Sequence, residues 1–213
     1  MSVTPRLRAD ALRLVAVTDS LSGGMDGLAR RAAAAVAGGA TMLTLRLPEE
    51  SARTLTEVAR SLRRAAPGVP LLVSDRVDVA LAVNAEGVHV GGRDLSAAVV
   101  RRFTPPSLII GASVGAAEDL SRTEGVDFVA IGPVFAASGA GDGGTTMGAA
   151  QFRELARLCG VPAIAVGGVA PENVGDLMAA GAVGVAVISA LLGADDPLSA
   201  ARALRAAVDA SGR

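Results

Sequence analysis

Residues 165–168 read Ala-Val-Gly-Gly, and residues 185–190 read Val-Ala-Val-Ile-Ser-Ala. Each stretch lies where an apolar run ends and a helix is expected to begin. In α/β barrels the backbone N–H groups of the last two such turns converge on one phosphate, helped by the positive ends of short helices. The two stretches therefore predict a barrel with a phosphate-binding site at its mouth.

The same alternation of apolar runs and Ala-rich amphipathic segments extends along the whole chain. The apolar runs predict eight strands, at Leu12 to Thr18, Met42 to Leu47, Pro70 to Ser74, Gly87 to Val90, Ser107 to Ala112, Phe128 to Gly132, Ala163 to Val166 and Val183 to Ile188. Apolar residues three or four positions apart predict eight helices, at 26–38, 50–66, 76–84, 95–103, 116–122, 148–159, 171–180 and 197–209. Nearly continuous apolar strands belong in a parallel sheet covered by helices, and eight such units close into a (β/α)8 TIM barrel.

A doubly wound open sheet is the alternative α/β fold. A dinucleotide-binding sheet of that kind carries Gly-x-Gly-x-x-Gly after its first strand, with an acidic residue about 20 positions further on. No such motif follows the first predicted strand here. We therefore expect one TIM-barrel domain over residues 1–213, with residues 1–10 as an N-terminal extension.

The amino-acid composition excludes some kinds of binding partner for the protein. Aromatic residues make up 2% of the chain and the formal net charge is -1, so stacking on nucleic-acid bases and attraction to nucleic acid or an anionic membrane are not expected. All 20 basic residues are Arg, which excludes a Schiff base on lysine. The expected partner is a small neutral or anionic metabolite, with no nucleic acid and no membrane.

Three features favour a soluble cytoplasmic protein. Met1 to Asp10 lack the apolar segment of a signal peptide. The single Cys159 allows no internal disulfide and is most simply a small core residue. No apolar run reaches the roughly 18 residues of a membrane-spanning helix.

Two acidic residues follow consecutive predicted strands, Asp75 after the third and Asp94 after the fourth. Residues at the carboxyl ends of barrel strands face the active site. Mg2+ is typically held by one or two carboxylates together with phosphate oxygens and water, so the pair predicts a magnesium site beside the phosphate. The alternative is that each Asp caps the helix that begins just after it.

Arg46 and Ser113 are the other candidates at strand ends. Arg46 lies between Leu45 and Leu47, so its side chain points to the opposite face from both, and an inward Arg needs an anionic partner. The alternative is an ordinary surface Arg. Ser113 is a candidate hydroxyl donor to a phosphate or diphosphate, whereas His89, inside an apolar strand, is expected to be a core histidine.

Residues 136–147 form a segment rich in Gly, Ala, Ser and Thr after the sixth predicted strand. A loop of this length on the catalytic face is typical of a mobile lid, and a plain flexible linker is the alternative.

Four phrases together resemble the thiamine phosphate synthase / TenI family of (β/α)8 barrels, over nearly the whole chain. They are Ser74-Asp75-Arg76-Val77-Asp78-Val79-Ala80-Leu81-Ala82, Gly87-Val88-His89-Val90-Gly91-Gly92-Arg93-Asp94-Leu95, Ile131-Gly132-Pro133-Val134-Phe135, and Ala165-Val166-Gly167-Gly168-Val169 with Pro171-Glu172-Asn173. The resemblance implies Mg2+ at Asp75 and Asp94, and the diphosphate of an aminopyrimidine substrate at Arg46 and Ser113. It further implies a thiazole phosphate at Gly168, Ile188 and Ser189.

The chain also departs from the family pattern. The second-strand motif Gln-x-Arg-x-Lys reads Thr44-Leu45-Arg46-Leu47-Pro48, so only the Arg is present, and the Asn before the first metal Asp is Ser74. Where the synthases carry Thr-x-Thr-Lys, residues 137–140 read Ala-Ser-Gly-Ala. The sister tautomerases have a His at the position of Gly115.

Three functions are therefore open from the sequence. The first is a synthase that condenses an aminopyrimidine diphosphate with a thiazole phosphate to give thiamine phosphate and diphosphate. The second is a TenI-like thiazole tautomerase. The third is a non-catalytic binder of phosphates of the thiamine pathway. Barrels of this family are commonly small homo-oligomers, which makes a second copy of the chain a candidate partner.

Overall fold

The computed structural model describes residues 7–136 and 146–211. Eight parallel strands form a closed barrel in the order of the sequence. They are β1 Leu14–Val17, β2 Met42–Leu45, β3 Leu71–Ser74, β4 Gly87–Val90, β5 Ile109–Val114, β6 Phe128–Ile131, β7 Ala163–Val166 and β8 Gly184–Val187. The barrel closes where β8 pairs with β1, with Val185 opposite Leu14. The predicted (β/α)8 fold is confirmed.

Helices follow the strands and cover the outside of the barrel. They are α1 Gly24–Ala37, α2 Ala52–Ala65, α3 Val77–Ala82, α4 Ala97–Arg101, α5 Gly148–Cys159, α6 Val174–Ala179, α7 Ser189–Leu192 and α8 Pro197–Ser211. Short 3-10 helices at Ala9–Leu12 and Ala117–Arg122 precede β1 and follow β5. Within the described ranges, no helix is both long and apolar enough to cross a membrane.

Alternate residues along each strand pack into two separate apolar clusters. On β2, Met42 belongs to the cluster inside the barrel, whereas Leu43 and Leu45 belong to the cluster between barrel and helices. The inner cluster comprises Ala11, Leu12, Val15, Val17, Met42, Leu72, Ile109, Phe128, Ala130, Ile164 and Ala186. The interior of the barrel is thus packed with apolar side chains, and ligands of such barrels bind at the mouth.

The structure differs from the predicted elements mainly around β5. That strand was predicted at Ser107 to Ala112 but runs Ile109–Val114, because the residues before it form a turn in which the Leu108 N–H donates to the Pro105 carbonyl at 3.0 Å, and pairing with β6 continues to Val114. Ser113 therefore lies within the strand, opposite Ala130 of β6. The helix predicted at 116–122 is a 3-10 helix.

Two expectations concern residues with no structural description. Of the loop predicted as a lid or linker at 136–147, residues 137–145 lie outside the described part. The same is true of residues 1–6 of the predicted N-terminal extension.

Candidate active site

A cavity of about 680 Å3 opens at the carboxyl ends of the strands. Its polar wall consists of Thr44, Arg46, Glu50, Ser74, Asp75, Arg76, His89, Arg93, Asp94 and Ser113. Its apolar floor and far wall consist of Val15, Val17, Phe128, Ala130, Ile164, Val166, Ala186 and Ile188. The polar groups are thus concentrated after β2 to β5, on one half of the mouth.

Arg46 directly follows β2 and lines this cavity. Its neighbours Leu45 and Leu47 are buried in the outer cluster, so the alternation along the strand turns Arg46 the other way, as predicted. The guanidinium is exposed to the cavity and has no carboxylate partner within residues 7–136 and 146–211. It is therefore available to an anionic ligand.

The main chain of Arg46 is held by Thr18, the first residue after β1. The Thr18 hydroxyl accepts a hydrogen bond from the Arg46 N–H at 2.8 Å and donates one to the Arg46 carbonyl at 3.0 Å. Thr18 is completely buried. A buried side chain that satisfies both backbone groups of one residue fixes where that residue leaves its strand.

Asp75 and Asp94 lie side by side on adjacent strand ends. Burial raises the pKa of the Asp75 carboxyl, and the neighbouring Asp94 carboxylate raises it further. The backbone of Asp75 has a φ of 63°, a left-handed conformation that is uncommon outside glycine. Such strain is typical of functional sites, because the surrounding structure must enforce it.

Neither carboxylate caps a helix. The N-cap residue of α3 is Arg76, and the N-cap residue of α4 is Ser96, whose hydroxyl accepts from the Val99 N–H. The Asp94 carboxylate instead accepts the Gly91 N–H at 2.6 Å, which holds it at the cavity. The capping alternative is therefore wrong for both residues.

The two carboxylates suit a hard divalent cation. No group of three or more His, Cys, Asp or Glu side chains in the described part of the chain could hold a metal by itself. Mg2+ does not require such a group, since it keeps several waters and binds one or two carboxylates plus substrate phosphates. The mutual repulsion that raises the Asp75 pKa is the kind of strain that a bound cation relieves.

His89 is a buried histidine, as predicted, but it also lines the cavity from β4. Its Nε2 is hydrogen-bonded to the Ser113 Oγ at 2.9 Å, and its ring lies 5.9 Å from the ring of Phe128. Burial lowers the pKa of His89 to about 4, against the attraction of Asp94. The imidazole is therefore neutral at pH 7, where it orients the Ser113 hydroxyl.

The turn after β7 is built around two left-handed glycines. Gly167 and Gly168 have φ values of 93° and 60°, and a Cβ on Gly168 would lie 2.5 Å from the carbonyl oxygens of Phe135 and Ala136. The Asn173 amide donates to the Gly168 carbonyl at 2.8 Å and so fixes the turn. Glycine is thus required here by the close approach of the chain after β6.

The residues predicted to bind the phosphate differ in whether they line the cavity. Ile188 lines the cavity, and Ser189 is exposed as the first residue of α7. Gly167, Gly168 and Ser189 do not line the cavity but lie at the ends of β7 and β8, on its rim. The amide of Gly168 has no hydrogen-bond acceptor among the described residues.

Sequence reasoning gave no role to three residues that the structure brings to the site. His89 alternates with Val88 and Val90, both buried in the outer cluster, so its inward orientation was readable from the period of the strand. Arg93 belongs to the loop after β4, so its position at the mouth follows from the end of that strand, whereas nothing in the sequence gives it a role. Thr18 follows β1, but its contact with Arg46 depends on the pairing of two strands.

A model of the family described as thiamine monophosphate synthase matches residues 14–191. The chain belongs to this family. The thiamine-phosphate synthase of Laribacter hongkongensis is 44% identical over 189 residues, 87% of this chain and 90% of that protein. That of Azorhizobium caulinodans is 43% identical over 206 residues, 95% of this chain and 97% of that protein.

A solved structure agrees with these relatives. Thiamine phosphate pyrophosphorylase from Pyrococcus furiosus superposes with a TM-score of 0.82 at 33% identity, covering 95% of this chain and 98% of that one. A 3-hexulose-6-phosphate synthase, with a TM-score of 0.68 and 22% identity, shares the fold alone. Membership of the thiamine monophosphate synthase family makes the chain an enzyme, and its class is that of the transferases.

Proposed function

We propose that the chain is a thiamine-phosphate synthase, which joins an aminopyrimidine diphosphate to a thiazole phosphate and releases diphosphate. The observation that carries the proposal is the placement of Arg46, Asp75, Asp94 and Ser113 on one wall of a single cavity. The relatives at 43% and 44% identity bear the name of this reaction. A tautomerase is disfavoured because Gly115 offers no base where that activity needs one.

The reaction breaks the bond between the pyrimidine methylene carbon and a diphosphate oxygen, which leaves with the electron pair. The lone pair of the thiazole nitrogen then forms the new carbon–nitrogen bond. Charge accumulates on the departing diphosphate, so fixed positive groups and hydroxyl donors aimed at it lower the barrier. Arg46 would supply the positive charge, and the Ser113 hydroxyl, hydrogen-bonded to neutral His89, would supply a donor.

The metal would be held by Asp75 and Asp94, with Ser74 beside them. When bound, Mg2+ supplies a second positive charge for the diphosphate. Asp94 is kept in place by the Gly91 N–H, and the Arg122 guanidinium donates to the Asp94 carbonyl at 2.7 Å. These contacts hold the carboxylate at the cavity before any ligand arrives.

The thiazole phosphate would lie across the cavity, against the turns after β7 and β8. The Gly168 amide has no acceptor among residues 7–136 and 146–211, and Ile188 and Ser189 lead into the N-terminus of α7. Gly167 gives the first turn its left-handed shape. The apolar wall of Ile164, Val166 and Ile188 suits the body of the thiazole ring.

We infer that the ligands are small-molecule phosphates, that the protein is cytoplasmic and that it is a homo-oligomer in solution. Net charge near zero and the scarcity of aromatic residues support the exclusion of nucleic acid.

The proposal is tested by incubating the purified protein with both substrates and measuring thiamine phosphate and diphosphate. We expect equal amounts of the two products, formed only with Mg2+. Asp75→Asn and Asp94→Asn should each lower turnover by about 100-fold, the scale of losing one electrostatic contact to the transition state. Asp176→Asn, on the exposed side of α6, is the matched control and should be unchanged.

Two outcomes would contradict the proposed synthase activity. Thiazole phosphate binding in calorimetry without any product at high protein concentration would support a non-catalytic binder. Isomerisation of a thiazole carboxylate phosphate without diphosphate release would support a tautomerase.

A further inference from the structure

Three arginines line the cavity, and only one of them is already paired. Arg76 donates to the Asp78 carboxylate through two contacts, Nε to Oδ1 at 2.9 Å and Nη2 to Oδ2 at 2.5 Å. Arg46 and Arg93 have no carboxylate partner within the described ranges 7–136 and 146–211. Two guanidiniums at one cavity mouth thus lack an anion.

The order of strands places these two arginines on either side of Asp75. Arg46 follows β2, Asp75 follows β3, and Arg93 lies in the loop that follows β4. Because β3 pairs with both β2 and β4, Asp75 lies between the two guanidiniums around the rim. Positive groups therefore flank the place where a cation would be held.

Arg93 is free to bind although an acidic residue follows it directly. The Asp94 carboxylate is occupied by the Gly91 N–H and forms no ion pair with Arg93. Arg93 is exposed, so its guanidinium can move toward an incoming ligand. A guanidinium presents a planar fork of donors that matches two phosphate oxygens, which an ammonium group cannot do.

The demand for a further cation is evident from the chain itself. A diphosphate carries several negative charges, and the chain contains no lysine with which to balance them. Pro48, two positions after Arg46, lines the cavity and contributes no charge. Apart from Arg46, only Arg93 remains unpaired among the basic side chains of this cavity wall within the described residues.

We propose that Arg93 is a second diphosphate-binding cation, which forms with Arg46 a two-arginine site on either side of Asp75. The inference rests on the proposed function for the identity of the substrate, but it concerns the diphosphate group alone. Arg93 then contacts the leaving group and takes the place of cations that this lysine-free chain lacks.

The test is calorimetric titration with inorganic diphosphate in the presence of Mg2+. Arg93→Gln should weaken binding about 10-fold, the usual effect of losing one charge-assisted hydrogen bond at an exposed site. Arg93→Lys should recover only part of the loss, because it restores the charge but not the fork. Arg102→Gln, an equally exposed arginine at the end of α4, is the control and should bind like wild type.

The salt dependence gives an independent measurement. Binding through Arg93 should weaken more steeply with added salt in wild type than in Arg93→Gln, because exposed charges are screened. Equal affinity and equal salt dependence in the two proteins would overturn the inference, as would failure of wild type to bind inorganic diphosphate.

Failure of the inference is distinguishable from failure of the proposed function. If wild type forms thiamine phosphate and Arg93→Gln has an unchanged KM for the aminopyrimidine diphosphate, the synthase stands and the role of Arg93 is wrong. If wild type forms no product but Arg93→Gln weakens diphosphate binding, the two-arginine site stands and the reaction is wrong.

Discussion

Thr18 is the residue on which the position of Arg46 depends most directly. Its hydroxyl bridges the N–H and the carbonyl of Arg46 from inside the barrel wall, where water cannot replace it. Arg46 itself is exposed, and its side chain is held by no carboxylate in the described residues. A buried neutral group therefore determines the geometry of an exposed charged one.

Thr18→Val should impair diphosphate binding without removing any charge. The variant keeps the shape of the side chain but leaves the Arg46 N–H unsatisfied, so we expect about 1–3 kcal/mol less stability and a raised KM for the aminopyrimidine diphosphate. Thr18→Ser should restore both properties. Thr104→Val removes a comparable buried hydroxyl, which donates to the Val100 carbonyl at 2.9 Å, and should cost stability alone. Equal KM values for Thr18→Val and Thr104→Val would argue against the positioning role.

His89 gives the protein a stability that depends on pH. Its folded pKa of about 4 lies below the usual 6.5, so the unfolded chain binds the extra proton between these values. The contribution of neutral His89 to the free energy of unfolding is therefore fully present above about pH 6.5. It is lost as the pH falls toward 4, by up to about 3 kcal/mol. Denaturant unfolding of wild type and His89→Gln at pH 7 and pH 4 measures the difference. If both proteins lose the same amount over this interval, His89 is not buried as described.

At the residue scale, the sequence predicts site residues best where a charged residue directly follows a predicted strand. Asp75, Asp94 and Arg46 were predicted at the mouth because parallel strands of a barrel end on one rim. The left-handed backbone of Asp75 was not predictable, because only the surrounding structure enforces it. His89 was predicted to be a core histidine and is buried, but its hydrogen bond to Ser113 was not predicted, because it depends on the pairing of β4 with β5.

At the scale of elements, a turn before β5 and the turn after β7 account for the main differences from the predictions. The Leu108 N–H donates to the Pro105 carbonyl and so delays the start of β5, while pairing with β6 extends the strand through Ser113 to Val114. Gly168 is predicted to bind the thiazole phosphate, but the backbone of Phe135 and Ala136 also fills the space that a Cβ at this position would need. A substitution at Gly168 would therefore disturb the fold as well as the ligand.

Ser189→Asp tests the phosphate site without that difficulty. Ser189 is exposed at the first position of α7, where a carboxylate interacts favourably with the helix dipole, so the fold should be kept. The same carboxylate would repel a phosphate dianion, and we expect thiazole phosphate to bind at least about 10-fold more weakly in calorimetry. Ser107→Asp, exposed before β5 at the opposite end of the barrel, is the control. Unchanged affinity in Ser189→Asp would place the phosphate elsewhere.

At the scale of the whole molecule, the closed barrel brings residues from four successive strands to one wall of the cavity. The sequence was sufficient to predict this closure, because eight apolar runs alternate with eight amphipathic segments. It was not sufficient to predict which charges pair. Arg76 binds Asp78, whereas Arg46 and Arg93 have no carboxylate partner among the residues that the structure describes, and this difference depends on how the loops pack.

The two halves of the cavity mouth are expected to bind the two substrates, the diphosphate on one side and the thiazole phosphate on the other. A crystal structure of the protein soaked with Mg2+, the aminopyrimidine diphosphate and the thiazole phosphate tests it directly. We expect the metal on Asp75 and Asp94, the diphosphate between Arg46 and Arg93, and the thiazole phosphate on the turns after β7 and β8. A metal bound away from both carboxylates, or a diphosphate outside this cavity, would contradict the account.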